Sequence, residues 1–118
     1  SGKAWFIGVD SDQELTLPAA QAAITLTSGL KNVGKSIIWL FDEWDAGRTY
    51  WGKEVRLGIP EGGVGVVTDK NFAKIAPKAI QDAVLAAQAD IVAGKIVVPT
   101  AIGDTTNAVV TLRDAMQP

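Results

Sequence analysis

The stretch Trp5-Phe6-Ile7-Gly8-Val9 stops abruptly in Asp10-Ser11-Asp12-Gln13, and this step from apolar to short polar side chains constrains the fold more than any other feature. Aromatic and β-branched residues in an unbroken run fit an interior strand of a parallel sheet, where helices cover both faces. Ligands of open α/β sheets sit just beyond the carboxyl ends of such strands. Asp10, Ser11, Asp12 and Gln13 therefore fall where a cleft would open, and they can accept and donate hydrogen bonds to a polyhydroxylated or heterocyclic ligand. An Asx-type turn that merely closes a strand uses the same residue types, so spacing alone leaves both readings open.

Downstream, the pattern alternates between strand and helix. Glu14 to Ala23 suits either a short helix entered at Pro18 or a loop. Ile24-Thr25-Leu26-Thr27 has the period of two of a short strand with one covered face. Ser28 is placed to cap a helix whose residues Leu30, Val33, Ile37, Leu40, Phe41 and Trp44 recur at steps of three and four, with Gly47 at its end. Lys31 then lies in the first turn, beside the positive end of the helix dipole, a position that gains only if the ammonium reaches a polar cleft. Lys53–Leu57 and Val64–Val67, joined by Pro60-Glu61-Gly62-Gly63, predict a hairpin. Asp69 or Asn71 caps the next segment. Pro77 suits a first turn, and Ile80, Val84, Ala87 and Ile91 form the apolar stripe of a helix running to Ala93 and closed by Gly94. Lys95 to Val98 predicts an edge strand ended by Pro99, Thr100 to Asn107 a loop, and Ala108 to Leu112 a last strand or a pairing with another chain. The whole, residues 1–118, reads as a single α/β domain with a mostly parallel sheet and a hairpin.

Chemistry is narrowed by what is missing. With no histidine and no cysteine, the chain lacks the commonest general base, thiolate nucleophiles, disulfides and cysteine metal sites. Ser28 has no histidine to activate it. Gly34-Lys35-Ser36 lacks the upstream glycine of a P-loop and falls inside a helical pattern. Asp10 and Asp12 are a possible carboxylate pair, but calcium takes about six to eight oxygens and no EF-hand spacing surrounds them. A net charge of -2 with dispersed Lys and Arg argues against nucleic acid. No apolar run approaches the roughly 18 to 20 residues of a membrane span. The residues favour binding over catalysis, with no cofactor and no metal.

Four ordered blocks give that binding a direction. Ile7-Gly8-Val9-Asp10-Ser11-Asp12-Gln13 resembles the Gly-Val-Asp-Ser-Asp-Gln signature of the basic membrane protein family, the substrate-binding lipoproteins of nucleoside ABC transporters. Leu26-Thr27-Ser28-Gly29-Leu30-Lys31, Leu57-Gly58-Ile59-Pro60-Glu61-Gly62-Gly63-Val64-Gly65 and Gly94-Lys95-Ile96-Val97-Val98-Pro99 are similar to the family in the expected order. The resemblance implies a three-layer, Rossmann-like lobe of a type I periplasmic-binding-protein fold, equivalent to the C-terminal portion of a two-lobed receptor without its N-terminal lobe. It implies a nucleoside ligand, purine by expectation, no enzymatic activity, and an ABC transporter permease as partner. The expected location is the periplasm or the outer face of the membrane, lipid-anchored in the full-length protein. By the same resemblance Asp10 anchors the sugar, Ser11, Asp12 and Gln13 shape the turn or add contacts, and Ser28 and Lys31 line the cleft. The base-stacking aromatics belong largely to the other lobe in this family, so Trp5, Trp39, Trp44 and Trp51 are read as core or lobe-surface residues. The rival reading is a non-catalytic α/β module that self-associates and binds no small molecule.

Overall fold

The computed structural model describes residues 4–99 and 106–116. Strand β1 (Phe6–Asp10) leads into two single-turn helices, α1 (Gln13–Thr16) and α2 (Ala19–Ala22), and then into β2 (Thr25–Lys31). Helix α3 (Val33–Asp45), strand β3 (Val64–Val66) and helices α4 (Lys70–Ile75), α5 (Lys78–Val92) and α6 (Thr106–Ala115) complete the order. The three strands form one sheet in the order β1-β2-β3. β1 runs parallel to β2, and β3 runs antiparallel to it, so this small sheet is mixed rather than mostly parallel.

One irregularity organises the centre. The register between β1 and β2 pairs Phe6 with Thr25 but Ile7 with Thr27, so Leu26 is an extra residue bulged out of the ladder. A regular strand would send Thr25 and Ser28 to opposite faces. The bulge offsets this, and both side chains are fully buried at 0% exposure. Thr25 Oγ1 donates to the Gln21 carbonyl at 3.0 Å, and the two carbonyls of Ala22 and Thr25 each accept from Asn71 Nδ2 at 2.9 Å. That amide fastens α4 under the start of β2. Beside it lies the small apolar core of Val67, Phe72 and Ala76.

The sheet and the helix boundaries correct several expectations. Ser28 is no helix cap: it lies within β2, as does Leu30, while Lys31 ends that strand and Asn32 occupies the cap position of α3. The anticipated hairpin is absent, because Lys53–Leu57 is irregular and Val64–Val66 ladders onto β2 instead. The turn docks rather than pairs: Asn32 N–H donates to the Gly63 carbonyl at 2.8 Å and Asn32 Nδ2 to the Gly62 carbonyl at 2.9 Å. Glu61 closes it by accepting the Gly58 N–H at 2.7 Å. Lys95–Val98 is not a strand, since among the described residues no further strand lies beside it to supply a ladder. Ala108–Leu112 is part of helix α6 rather than a strand, and of the expected loop Thr100–Asn107, residues 100–105 lie outside the described residues while Thr106 and Asn107 open that helix.

Both long helices end as their glycines dictate. Gly47 and Gly94 have φ of 78° and 73°, a conformation that costs glycine nothing. In each case the next residue's N–H reaches five residues back, Arg48 to Glu43 and Lys95 to Asp90, and closes a Schellman motif. The apolar face read on α3 is present but only partly covered by described residues, with Ile37, Phe41 and Trp44 each more than half exposed at 53%, 55% and 55%. A radius of gyration of 17.6 Å, against about 13 to 14 Å for a compact domain of this length, records the same openness.

Gly8 faces Ser28 across the β1–β2 ladder. A Cβ there would fall on Ser28 Oγ and come within 2.9 Å of Gln13 Cβ. Gly8→Ala is expected to destabilise by about 1 to 3 kcal/mol, the usual cost of overpacking. Adding Ser28→Ala removes the worst collision, so the double variant should recover part of that loss. Urea unfolding of both variants measures it, and a double variant no more stable than Gly8→Ala would show that Ser28 is not the obstacle.

Candidate functional site at the end of the first strand

β1 does not simply stop. Asp10 has φ of 71°, and the Ser11 N–H returns to the Val9 carbonyl at 2.9 Å, so Val9, Asp10 and Ser11 make a three-residue turn with a left-handed centre. Such a turn is strained for a residue with a side chain and persists only when its surroundings hold it. Three residues supply the hold. Gln13 Nε2 donates to the same Val9 carbonyl at 3.0 Å, and the Gln13 N–H donates to buried Ser28 Oγ at 3.1 Å. Asp12 caps α1 by accepting the Glu14 N–H at 3.2 Å.

The two aspartates have parted company. Asp12 is only 16% exposed, and its second oxygen takes Lys70 Nζ at 2.7 Å. Asp10 is 64% exposed and meets Lys31 Nζ, itself 63% exposed, at 3.3 Å. An exposed pair of this kind is worth about 0 to 1 kcal/mol, so neither charge is committed and both can turn to a ligand. Ser11 is exposed beside them.

Of the residues singled out in the sequence, the structure brings Asp10, Ser11 and Lys31 to one exposed tip. Asp12, Gln13 and Ser28 are directed inward to hold it. Residues 69–71, which the sequence pattern marks only for their capping side chains, wrap this tip from the β3–α4 connection. Lys70 also touches Asp69, at 3.2 Å, and the Asn71 N–H donates to the Glu14 carboxylate at 3.2 Å. Hydrogen bonds donated to Asp12 first, and to Asp69 second, hold the Lys70 ammonium above the usual lysine range. No local pattern announces a partnership spanning 58 residues; its one trace is a polar Asp-Lys-Asn run at a helix start. Among the described residues no cluster of acidic side chains is fit to hold a metal.

A separate concavity lies elsewhere. A groove of about 420 Å³ between α3 and the segment after it is walled by Trp39, Phe41, Trp44, Tyr50 and Trp51, and includes none of the strand-end residues. Trp39 and Tyr50 pack with ring centres 5.3 Å apart, and Trp44 and Trp51 meet edge to face at 6.1 Å. Glu43 pins this segment, taking both the Arg48 guanidinium and the Tyr50 hydroxyl, the latter at 2.7 Å. The groove is aromatic and lacks the carboxylate-and-ammonium pair of the strand tip, so the tip is the better candidate for recognising a polar ligand.

The strand-end geometry suits binding, with polar groups held in place around an exposed carboxylate and ammonium. No family model matches the chain. Among characterised proteins, the nucleoside-binding protein BmpA of an ABC transporter in Lactococcus lactis subsp. cremoris (strain MG1363) is 34% identical over 103 residues, which cover 83% of this chain and 28% of that protein. The four sequence blocks that resemble the basic membrane protein family are thus matched by similarity to a nucleoside-binding protein of an ABC transporter. The chain spans under a third of the length of this relative.

The Glu43 cluster makes the aromatic segment sensitive to acid. Arg48 and then Tyr50, by hydrogen bonding, hold the Glu43 carboxyl at about 2 against an ordinary 4.5. Because the folded value is the lower one, the stabilisation is full above pH 4.5 and is lost as pH falls through about 2. Tryptophan emission should shift to the red over that interval as the segment loosens. Glu43→Gln should show the red-shifted emission already at neutral pH, with little further change on acidification; a variant that titrates like the parent would assign the transition to another group.

Proposed function

We propose that this chain forms part of a nucleoside-binding cleft in a substrate-binding protein that serves uptake through an ABC transporter, with purine nucleosides as the favoured ligands. The observation that carries this is the Asp10 turn: a carboxylate held at a strand end in a strained conformation, exposed, with a lysine near enough to balance it. A carboxylate so placed accepts two ribose hydroxyls as donors, and such charge-assisted bonds strengthen once a cleft closes and excludes water. Lys31 holds a polar edge of the ligand or offsets the Asp10 charge, and Ser11 adds a hydroxyl. Asp12, Gln13 and Ser28 act through the turn they brace.

The relative's function as the nucleoside-binding protein of an ABC transporter supports the ligand class. In this reading residues 1–118 are one α/β domain, the C-terminal portion of a type I, two-lobed receptor whose three-layer, mostly parallel sheet is completed by the rest of the protein. The permease is the transport partner, and the location is extracytoplasmic and membrane-associated through a lipid anchor. The exposed apolar side chains of α3 fit a surface that the remainder of the receptor covers, and in isolation they favour self-association. Contacts from one side only leave the ligand partly open to water, so affinity for the isolated chain is expected to be weak.

A thermal-shift series with inosine, guanosine, adenosine and uridine, with ribose as control, tests the proposal. A purine nucleoside at about a hundred times its Kd should stabilise by about 2.7 kcal/mol, a rise of several degrees in Tm. Asp10→Ala should abolish the shift and Lys31→Met should reduce it. A shift unchanged in Asp10→Ala removes Asp10 as the sugar anchor, and no shift with any nucleoside defeats the assignment for this chain.

A further inference from the structure

Only Ser11 separates the strained Asp10 from Asp12, and both Asp12 oxygens are occupied, one by the Glu14 N–H and the other by Lys70 Nζ. Lys70 is itself anchored from the far side. The neighbouring Asn71 donates its backbone N–H to Glu14 and its side-chain amide to the carbonyls of Ala22 and Thr25, so the base of the Lys70 side chain is tied to both ends of the β1–β2 crossover. Lys70 also has a positive φ, 49°, and is only 32% exposed, which is low for a lysine. Gln13 holds the turn from both sides, its side chain on the Val9 carbonyl and its backbone N–H on Ser28 Oγ, and the Asp12–Lys70 pair adds the one hold that reaches the Asp12 side chain from a distant part of the chain. Without that pair, the Asp12 side chain retains only the Glu14 N–H, and the strained Asp10 between the two Gln13 contacts loses its tie to α4 and gains room to relax toward the extended conformation that an aspartate prefers.

We propose that Lys70 is a positioning residue for ligand recognition: acting through Asp12, it keeps Asp10 in the left-handed turn and so presents the Asp10 carboxylate in its binding orientation. The role rests on the reading of Asp10 as the nucleoside anchor. It adds a residue from a distant part of the chain that takes no direct part in that contact. Lys31 cannot substitute for it, because Lys31 leaves from the adjacent strand end and pairs with Asp10 itself.

The test combines calorimetric titration of inosine with an NMR measurement of the Asp10 backbone angle from its amide–Hα coupling, in the parent, Lys70→Met, Lys70→Arg and Asp12→Asn. Asparagine at position 12 keeps the helix cap while removing the charge that Lys70 needs. Lys70→Met and Asp12→Asn should weaken inosine binding about tenfold and move the Asp10 coupling toward its extended value, whereas Lys70→Arg should stay within about threefold of the parent with the turn intact. An Asp10 coupling unchanged in Lys70→Met and Asp12→Asn overturns the proposal whatever happens to affinity. Should the parent itself not bind inosine, the nucleoside assignment fails, and the coupling alone decides whether Lys70 holds the turn.

Discussion

Gln13 grips the end of β1 from two directions, and most of the described structure leans on that grip. Its backbone N–H lands on Ser28 Oγ and its side-chain amide on the Val9 carbonyl. The first contact needs Gly8, because any side chain there would occupy the space of Ser28 Oγ. It needs the bulge at Leu26 as well, because without the extra residue Ser28 would turn to the other face of the sheet while Thr25 stayed buried. A glycine, a bulge and a serine are therefore one device. Its product is a strand end rigid enough to carry a left-handed aspartate.

The neighbouring aspartates take different roles because their surroundings differ. Asp12 is largely covered, caps a helix and meets an ammonium, so each of its oxygens has a structural partner. Asp10 stands in water with one loosely associated lysine, and solvent screening leaves that pair little net energy. A charge that contributes little to folding is one that a ligand can recruit without undoing the fold.

The first strand, its polar tip, the two long helices and their glycine ends are legible in the sequence, because each obeys a local rule: a β-branched and aromatic run, a period near 3.6, a glycine at C′. The interior position expected for β1 is not what the structure shows, since β1 is an edge of the described sheet and Phe6, Ile7 and Val9 are exposed. The β2–α3 boundary is displaced by several residues from where local pattern puts it. Thr27-Ser28 looks like a cap entering an amphipathic run, and only the ladders to β1 and β3 show that β2 extends to Lys31. The hairpin fails for a similar reason. Val64–Val66 has strand character, but its partner is decided by Asn32 docking the turn against β2, a contact between residues 30 apart. Lys70 is not legible at all. An exposed-looking lysine at a helix start carries no mark of the aspartate it will meet.

Helix α3 carries the clearest periodicity in the chain and yet has only partial apolar cover, from Tyr50 and Trp51 in the segment that follows it. Thirteen residues are marginal for a helix in water by propensity alone. Here its ends do the work that packing usually does. Asn32 ties the first turn to the Gly62-Gly63 segment, and Ser36 Oγ returns to the Asn32 carbonyl. At the other end the Schellman turn at Gly47 brings Arg48 round onto Glu43, and Tyr50 closes on the same carboxylate. Those two anchors fix the helix at its termini and leave the stripe of Ile37, Phe41 and Trp44 facing outward. The exposed half of that apolar area contributes nothing to this chain's own stability, and burying it would contribute at about 25 cal/mol per Å² to any association that covers it. A chain organised in this way uses its hydrogen bonds for local order and keeps its hydrophobic surface for what it meets.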